Sequence, residues 1–196
     1  KKPSLQILAM MLVTAFLSMW MSNTATAVMM LPIALSITHL VKSSDPTNEG
    51  FGKALLLSIA YGASIGGIAT LIGTPPNALM AAYLSDSYQI EIGFAQWMIV
   101  GVPLSLGMLI ISWIWLTKFT YKVDANVQTN KRIDTKAVFS SQLKELGLMQ
   151  RAEKGVLFVF MFAAVCWIFR PLLGDMTGLK ISDTGIAIAA ALLLFV

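Results

Sequence analysis

Formal charge is scarce in this chain. Only 12% of its 196 residues are Asp, Glu, Lys or Arg, about half the share usual in a soluble domain. None of these falls between Leu5 and Val41, between Ala54 and Leu84, or between Phe94 and Leu116. The reactive residues are equally sparse, with one cysteine, Cys166, and one histidine, His39. A lone thiol excludes a disulfide or thiolate–metal framework, and Cys166 inside an apolar run reads as an inert buried group. No acid/base pair, metal-ligand cluster or Ser–His pair is present to carry an enzymatic reaction. A proton relay would need an intramembrane carboxylate or histidine, and His39 sits near a helix end, where it reads as interfacial. The net charge of +4 implies no nucleic-acid partner, because the basic residues cluster in short loops, as membrane flanks do.

What the chain has instead is apolar length. Hydrophobic residues make up 57% of it, gathered in runs of helical character, so the expected fold class is an all-α integral membrane protein in contact with lipid. The first run, Leu5 to Val41, is about 37 residues, or about 55 Å as one helix, whereas one span needs about 20. A polar knot, Ser22-Asn23-Thr24-Ala25-Thr26, divides it. Hydrocarbon offers these groups nothing, so each must find a protein partner, water or a ligand. The run Ala54 to Leu84 is also too long for one plain span and is broken at Ile72-Gly73-Thr74-Pro75-Pro76-Asn77. Ahead of that break, Gly62 and Gly66 form a small-xxx-small pair suited to packing against a neighbouring helix. A third run begins near Trp97 and closes on Trp113 and Trp115, as interfacial aromatics do.

The polar stretches sort by sign. Lys1-Lys2, Lys42 to Lys53 (with turn chemistry at Asp45-Pro46) and Lys118 to Lys154 hold twelve of the fourteen basic residues. Arg170 and Lys180 are offset by Asp175 and Asp183, and Arg170, at the end of a fourth span from Gly155 to Leu173, can snorkel. Placing the basic loops on the cytoplasmic side works only if the Ser22 turn returns to the side it left, as a re-entrant hairpin. Within the long basic segment, Phe139, Leu143, Leu146 and Met149 recur at helical spacing and predict an amphipathic helix, either on the membrane surface or packed on another loop. The chain opens on a lysine and stops within the apolar run Ala187 to Val196, which reads as an internal fragment of a longer protein.

The two breaks carry the chemistry. A helix ending near Ser22 exposes carbonyls, and one starting after Thr24 exposes N–H groups. At the second break, Ile72 and Gly73 close a half-helix, Thr74 suits an N-cap and Pro75 the first helical position. Carbonyl-bearing ends suit a small cation and hydroxyl-bearing N-termini an anion; paired broken helices are the pattern of secondary-transporter sites. Plain kinks with locally satisfied hydroxyls are the structural alternative.

The stretches Ser18-Met-Trp-Met-Ser22-Asn23-Thr24-Ala25-Thr26-Ala27 and Ala63-Ser-Ile-Gly-Gly-Ile-Ala-Thr-Leu-Ile-Gly73-Thr74-Pro-Pro-Asn77 resemble the divalent anion:sodium symporter family. The resemblance implies an elevator-type homodimer of two inverted repeats, each with a hairpin bearing a Ser-Asn-Thr tip, in a bacterial inner membrane. It implies a sodium site from Ser18, Ser22, Asn23 and Gly73, and carboxylate contacts from Asn23, Thr24 and Thr74. The expected activity is sodium-coupled symport of a small dicarboxylate such as succinate, malate or fumarate. Citrate or sulfate on the same scaffold, or a non-transporting helical subunit, are the alternatives. The expected organisation is a transport-type core over residues 1–84 (hairpin 3–43, broken helix 54–84), a transmembrane helix 94–117 and a basic linker 118–154. The start of a second repeat follows at 155–196. A second Ser-Asn-Thr motif, and with it the second sodium site, is absent from this chain.

The charge parity is tested by a single cysteine at Ser44 in an otherwise cysteine-free full-length protein. An impermeant thiol reagent is expected to label it from the cytoplasmic face alone; labelling from outside overturns the hairpin topology.

Overall fold

The computed structural model describes residues 3–44, 49–121, 123, 147, 149–177 and 181–195. Lys1, Lys2, the Asp45-Pro46 turn, Lys180 and the amphipathic stretch through Phe139, Leu143 and Leu146 lie outside the described residues. Regular structure among the described residues is helical. The chain divides into two units, Lys1–Ile92 with Trp97–Thr135, and Gly93–Gln96 with Lys136–Val196.

In the first unit, α1 (Pro3–Ser18) and α2 (Asn23–Ser44) form a hairpin about the Ser22 turn. α3 (Glu49–Ile68) and α4 (Pro75–Tyr88) flank the second break, and α5 (Phe94–Ile114), which belongs to this unit from Trp97 onward, runs on into a π-helical turn, Trp115–Thr120. Two helical stretches are long and apolar enough to cross a membrane among the described residues, Gly50–Ile68 and Phe94–Thr120. The first is 61% buried and central, the second 22% buried and peripheral, with Ile99, Val100, Ile110 and Ile111 exposed along it. α1 has 16 residues, about 24 Å of rise against a hydrocarbon core of about 30 Å. Alone it falls short of a span, as a re-entrant arm does. α3 differs from expectation. It starts at Glu49 and has 20 residues, so it is a full span, and the break begins at Ala69 instead of Ile72.

Lipid supplies no hydrophobic drive between helices, so association depends on close packing. A Cβ on Gly62 would lie 2.8 Å from the Met11 carbonyl oxygen, and one on Gly66 would overlap the Ala15 carbonyl. The next residue in this every-fourth-position ridge, Thr70, donates its hydroxyl to the Met19 carbonyl. The three pairs share one offset, so α1 and α3 run parallel in a single register. α2 runs the other way, since Asn23 opposes Gly67 and Thr38 opposes Gly52. α5 is likewise antiparallel to α3, with Ser105 donating to the Ile65 carbonyl at 3.0 Å and Trp97 to that of Ile68 at 2.9 Å. The far end is tied by Trp113 donating to the Ser4 carbonyl of α1 at 2.8 Å. Ile7, Met10, Ala34, Ile37, Phe51 and Leu55 fill the space among α1, α2 and α3, and Met11, Ala15, Ile65, Leu109 and Leu116 that toward α5. Both breaks therefore collect at the end of the unit away from Ser4, Val41 and Gly50.

The second unit holds α6 (Arg151–Ile168), α7 (Arg170–Thr177) and α8 (Asp183–Leu193). Gln150 N–H donates to the Glu153 carboxylate at 2.8 Å, fixing the start of α6 four residues before the expected Gly155. The expected span to Leu173 is instead bent by 75° after Ile168. Pro171 has no N–H and restricts Arg170, so it is tolerated in the first turn of a new helix but not in the interior of the old one. Arg170 does not simply snorkel. It pairs with Asp183 at 2.9 Å, whose carboxylate also accepts from Phe94 N–H at 3.3 Å and whose carbonyl accepts from Trp167 at 3.0 Å. Ser182 caps α8 by accepting from Gly185 N–H at 3.0 Å.

The α1–α3 register predicts an asymmetric pair of glycine substitutions. Gly66→Ala should destabilise the full-length protein by about 1–3 kcal/mol or more, because its methyl meets backbone that cannot yield. Gly107→Ala, whose Cβ has nothing within 4 Å, should leave the thermal midpoint unchanged. Equal midpoints for the two variants would refute the register.

Candidate functional site

At the first break, α1 ends at Ser18 and α2 begins at Asn23, two residues earlier than the expected start after Thr24. Ser22 is therefore the cap of α2, accepting from Thr26 N–H through its carbonyl at 3.0 Å and from Ala25 N–H through its hydroxyl at 3.3 Å. This leaves the N–H groups of Asn23 and Thr24 in the first turn, where an α-helix offers them no internal acceptor. Ser22 and Thr24 are exposed, Asn23 is half-buried and Ser18 is fully buried. The Ser18 hydroxyl lies 2.7 Å from the Ala63 carbonyl of α3 and 2.8 Å from Asn23 Oδ1.

At the second break Thr74 occupies the N-cap position of α4 in extended backbone, φ −147° and ψ 142°, yet its hydroxyl makes no cap bond. Pro75 and Pro76 remove the first two N–H donors of α4, and Asn77 N–H returns to the Thr74 carbonyl at 3.1 Å. The α4 terminus therefore has little backbone N–H to offer an anion, and the half-buried Thr74 hydroxyl is its available donor.

The carbonyl-bearing end of α3 differs from the expected cation face. Its last-turn oxygens already accept protein hydrogen bonds, Ile65 from Ser105, Gly66 from Ala69 N–H at 3.0 Å and Ile68 from Trp97. Gly67 accepts from Asn77 Nδ2 at 2.9 Å, and the same amide reaches the Thr70 carbonyl at 2.8 Å. Asn77 is buried and spans the break from one side to the other. Sequence reading placed it in a motif without a role; its signal was an amide just beyond a Pro-Pro helix start, facing carbonyls that needed donors.

Gly67 brings the two breaks together. A Cβ there would overlap Asn23 Oδ1, and a Cβ on Gly73 would meet the Gly67 carbonyl at 2.5 Å. Asn23 and Gly73, assigned to one ion from sequence, thus lie against the same glycine. Ser18 and Ala63 join them through the Ser18 hydroxyl. Ser22 and Thr24 stand on the exposed side of the α2 terminus. Thr26, also in the motif, is fully buried, with its hydroxyl lacking a hydrogen-bond partner among the described residues. No group of three or more His, Cys, Asp or Glu converges among the described residues. The oxygens at the breaks are hydroxyls, amides and carbonyls, donors for a hard monovalent cation rather than a transition metal.

Apolar helices interrupted at paired, polar, uncharged breaks are the pattern of secondary-transporter sites. Comparison with known proteins gives the family. A family model described as citrate transporter matches residues 1–196. A sodium-dependent dicarboxylate transporter, SdcS of Staphylococcus saprophyticus, is 37% identical over 198 residues, covering 96% of this chain and 37% of that protein. The protein of the same name from Staphylococcus aureus strain USA300 is 35% identical over 199 residues, covering 97% of this chain and 37% of its own. The chain belongs to the citrate transporter family, and its likeness to the sodium-dependent dicarboxylate transporters extends beyond the two motifs to nearly its whole length. It spans about 37% of the length of these curated relatives.

Asn77 supplies the test of the second break. Asn77→Ala takes the amide donor from the Gly67 carbonyl, at about 1–3 kcal/mol, and leaves the Thr70 carbonyl only the 3.4 Å contact from Gly73 N–H, so it should lower the thermal midpoint of the full-length protein in detergent. A midpoint equal to wild type contradicts the bridging role.

Proposed function

We propose that the full-length protein is a sodium-coupled symporter of small dicarboxylates such as succinate, malate or fumarate, and that the two breaks form half of its binding site. Ser18, Ser22, Asn23 and Gly73 hold sodium, with the Ala63 carbonyl as an added neighbour. Asn23, Thr24 and Thr74 receive a substrate carboxylate. The observation that carries this reading is Gly67 lying against both Asn23 and Gly73, so oxygen donors and hydroxyl or amide donors meet in a place without formal charge. A dianion entering such a place loses its hydration for neutral dipoles alone. A cation about 4 Å away contributes about 4 kcal/mol at an effective dielectric of 20, more than one hydrogen bond to a charged group at about 1.5–3. Coupling to sodium would lower the cost of placing a dianion among these neutral groups.

The dicarboxylate reading is favoured over citrate or sulfate by the names of the similar proteins, both sodium-dependent dicarboxylate transporters. The chain would hold the first-repeat core and the start of the second of two inverted repeats, in an elevator-type homodimer of a bacterial inner membrane. The basic loops would face the cytoplasm, and the hairpin would enter and leave on that side. The short α1 supports the hairpin; the missing second Ser-Asn-Thr tip would complete the pocket.

The test is uptake of labelled succinate by the full-length protein in proteoliposomes under an inward sodium gradient. Asn23→Ala is expected to reduce it at least about a hundredfold, the loss of one cation ligand and one anion donor together, at about 1.4 kcal/mol per tenfold, while the protein still elutes as folded dimer. Uptake at the wild-type rate would remove Asn23 from the site.

A further inference from the structure

The two faces of α5 differ in composition. Toward the interior of the first unit it presents small residues. A Cβ on Gly101 would lie 2.8 Å from the Ala69 carbonyl oxygen, and Ser105 donates to the Ile65 carbonyl at 3.0 Å. The outer face is bulky and apolar. Leu104, Met108, Ile111 and Trp115 follow one another along it at helical spacing, between 38% and 68% exposed. Helices that pack on one another in lipid do so through small residues, as α1 and α3 do at Gly62 and Gly66. A row of long aliphatic side chains is instead a surface for acyl chains. Gly107 leaves a shallow recess in it, where a Cβ would meet nothing within 4 Å.

This row ends on a cation. The helix widens into the π-helical turn Trp115–Thr120, an irregularity frequent at functional positions. Leu116 and Thr117 are buried there, while Trp115, Lys118 and Phe119 are left outside. The two rings stack, with centroids 5.3 Å apart and planes 24° from parallel. Trp113 donates its N–H inward to the Ser4 carbonyl, so Trp115 is the outward-facing tryptophan of this end. Lys118 makes no ion pair among the described residues. It opens the most basic stretch of the chain, Lys118 to Lys154, with eight Lys or Arg against four acids.

We propose that this end of α5 is a binding site for a phospholipid with an anionic headgroup. The lipid phosphate pairs with the Lys118 ammonium. Trp115 and Phe119 flank the headgroup level, as interfacial aromatics do, and one acyl chain lies along Ile111 and Met108. From Lys118 to Met108 is about 15 Å of helix, half of a hydrocarbon core of about 30 Å, so the row matches a single leaflet. Charge selects the lipid. Basic flanks lie on the cytoplasmic side, and the leaflet there carries the anionic lipids. The last carbonyls of a helix repel an anion, so a phosphate at this terminus depends on the one lysine that reverses the local sign. Such a site serves the protein whichever substrate it carries.

The test adds phosphatidylglycerol or phosphatidylcholine with identical acyl chains to delipidated full-length protein in detergent, and native mass spectrometry reads the bound lipid. Wild type is expected to bind its first phosphatidylglycerol about fivefold more tightly than phosphatidylcholine, the scale of one lysine at an anionic surface. Lys118→Gln should remove that preference and leave phosphatidylcholine binding unchanged. A preference absent from wild type, or surviving K118Q at full size, overturns the proposal. The position of the lipid is read separately. A bimane-labelled cysteine in place of the exposed Ile111, in an otherwise cysteine-free full-length protein, should be quenched in liposomes whose acyl chains carry bromine. Absence of quenching means that another part of the protein covers this face, and overturns the site even if K118Q fails to fold. Succinate enters neither measurement, so failure of the symporter reading leaves both results standing.

Discussion

The backbone of α1 lies against α3 because Gly62 and Gly66 have no side chains, and most of the site follows from that approach. The same register that sets Met11 on Gly62 and Ala15 on Gly66 carries on to Met19 and Thr70, past the ends of both helices. The hairpin turn and the second break are thus the last rung of a packing ridge, and the ridge brings them to one level. Ser18 can reach the Ala63 carbonyl only at this separation. A bulkier ridge would part the helices and open the two breaks from one another.

Around that ridge the polar groups divide into those that hold the structure and those left for a ligand. The last carbonyls of α3 accept from Ser105, Trp97, Asn77 and the Ala69 N–H, so this helix end is tied to its neighbours. The first turn of α2, the Thr74 hydroxyl and the buried Thr26 hydroxyl are the groups not absorbed in this way. They are neutral, which spares the membrane interior a permanent charge; under the proposed function, an anion there would rely on a cation brought in from outside.

Much of this was legible before any coordinates. Charge-free runs too long for one span marked the breaks at Ser22 and at Thr74, because lipid tolerates polar backbone only where protein or ligand answers it. Glycine spacing marked a packing face on α3, and the structure shows that α1 fills it. Three features were hidden. The true start of α2 depends on Ser22 capping it, a choice among adjacent Ser, Asn and Thr residues that all cap well. The bend after Ile168 is set by Pro171 in a run whose composition otherwise reads as one span. The closure of the α3 carbonyls depends on Trp97, Ser105 and Asn77 arriving from other elements, and no local pattern encodes such long-range partners. Ala63, whose contribution is a main-chain oxygen, has no side-chain signal at all.

The proposed sharing of one site by cation and anion makes a thermodynamic demand that is independent of any assigned residue. If sodium tightens succinate by some factor, succinate must tighten sodium by the same factor. Calorimetric titration of the full-length protein, sodium with and without saturating succinate and succinate with and without saturating sodium at fixed ionic strength, measures both. Equal factors of about tenfold or more are expected for a sodium-coupled symporter. A succinate affinity independent of sodium would contradict it.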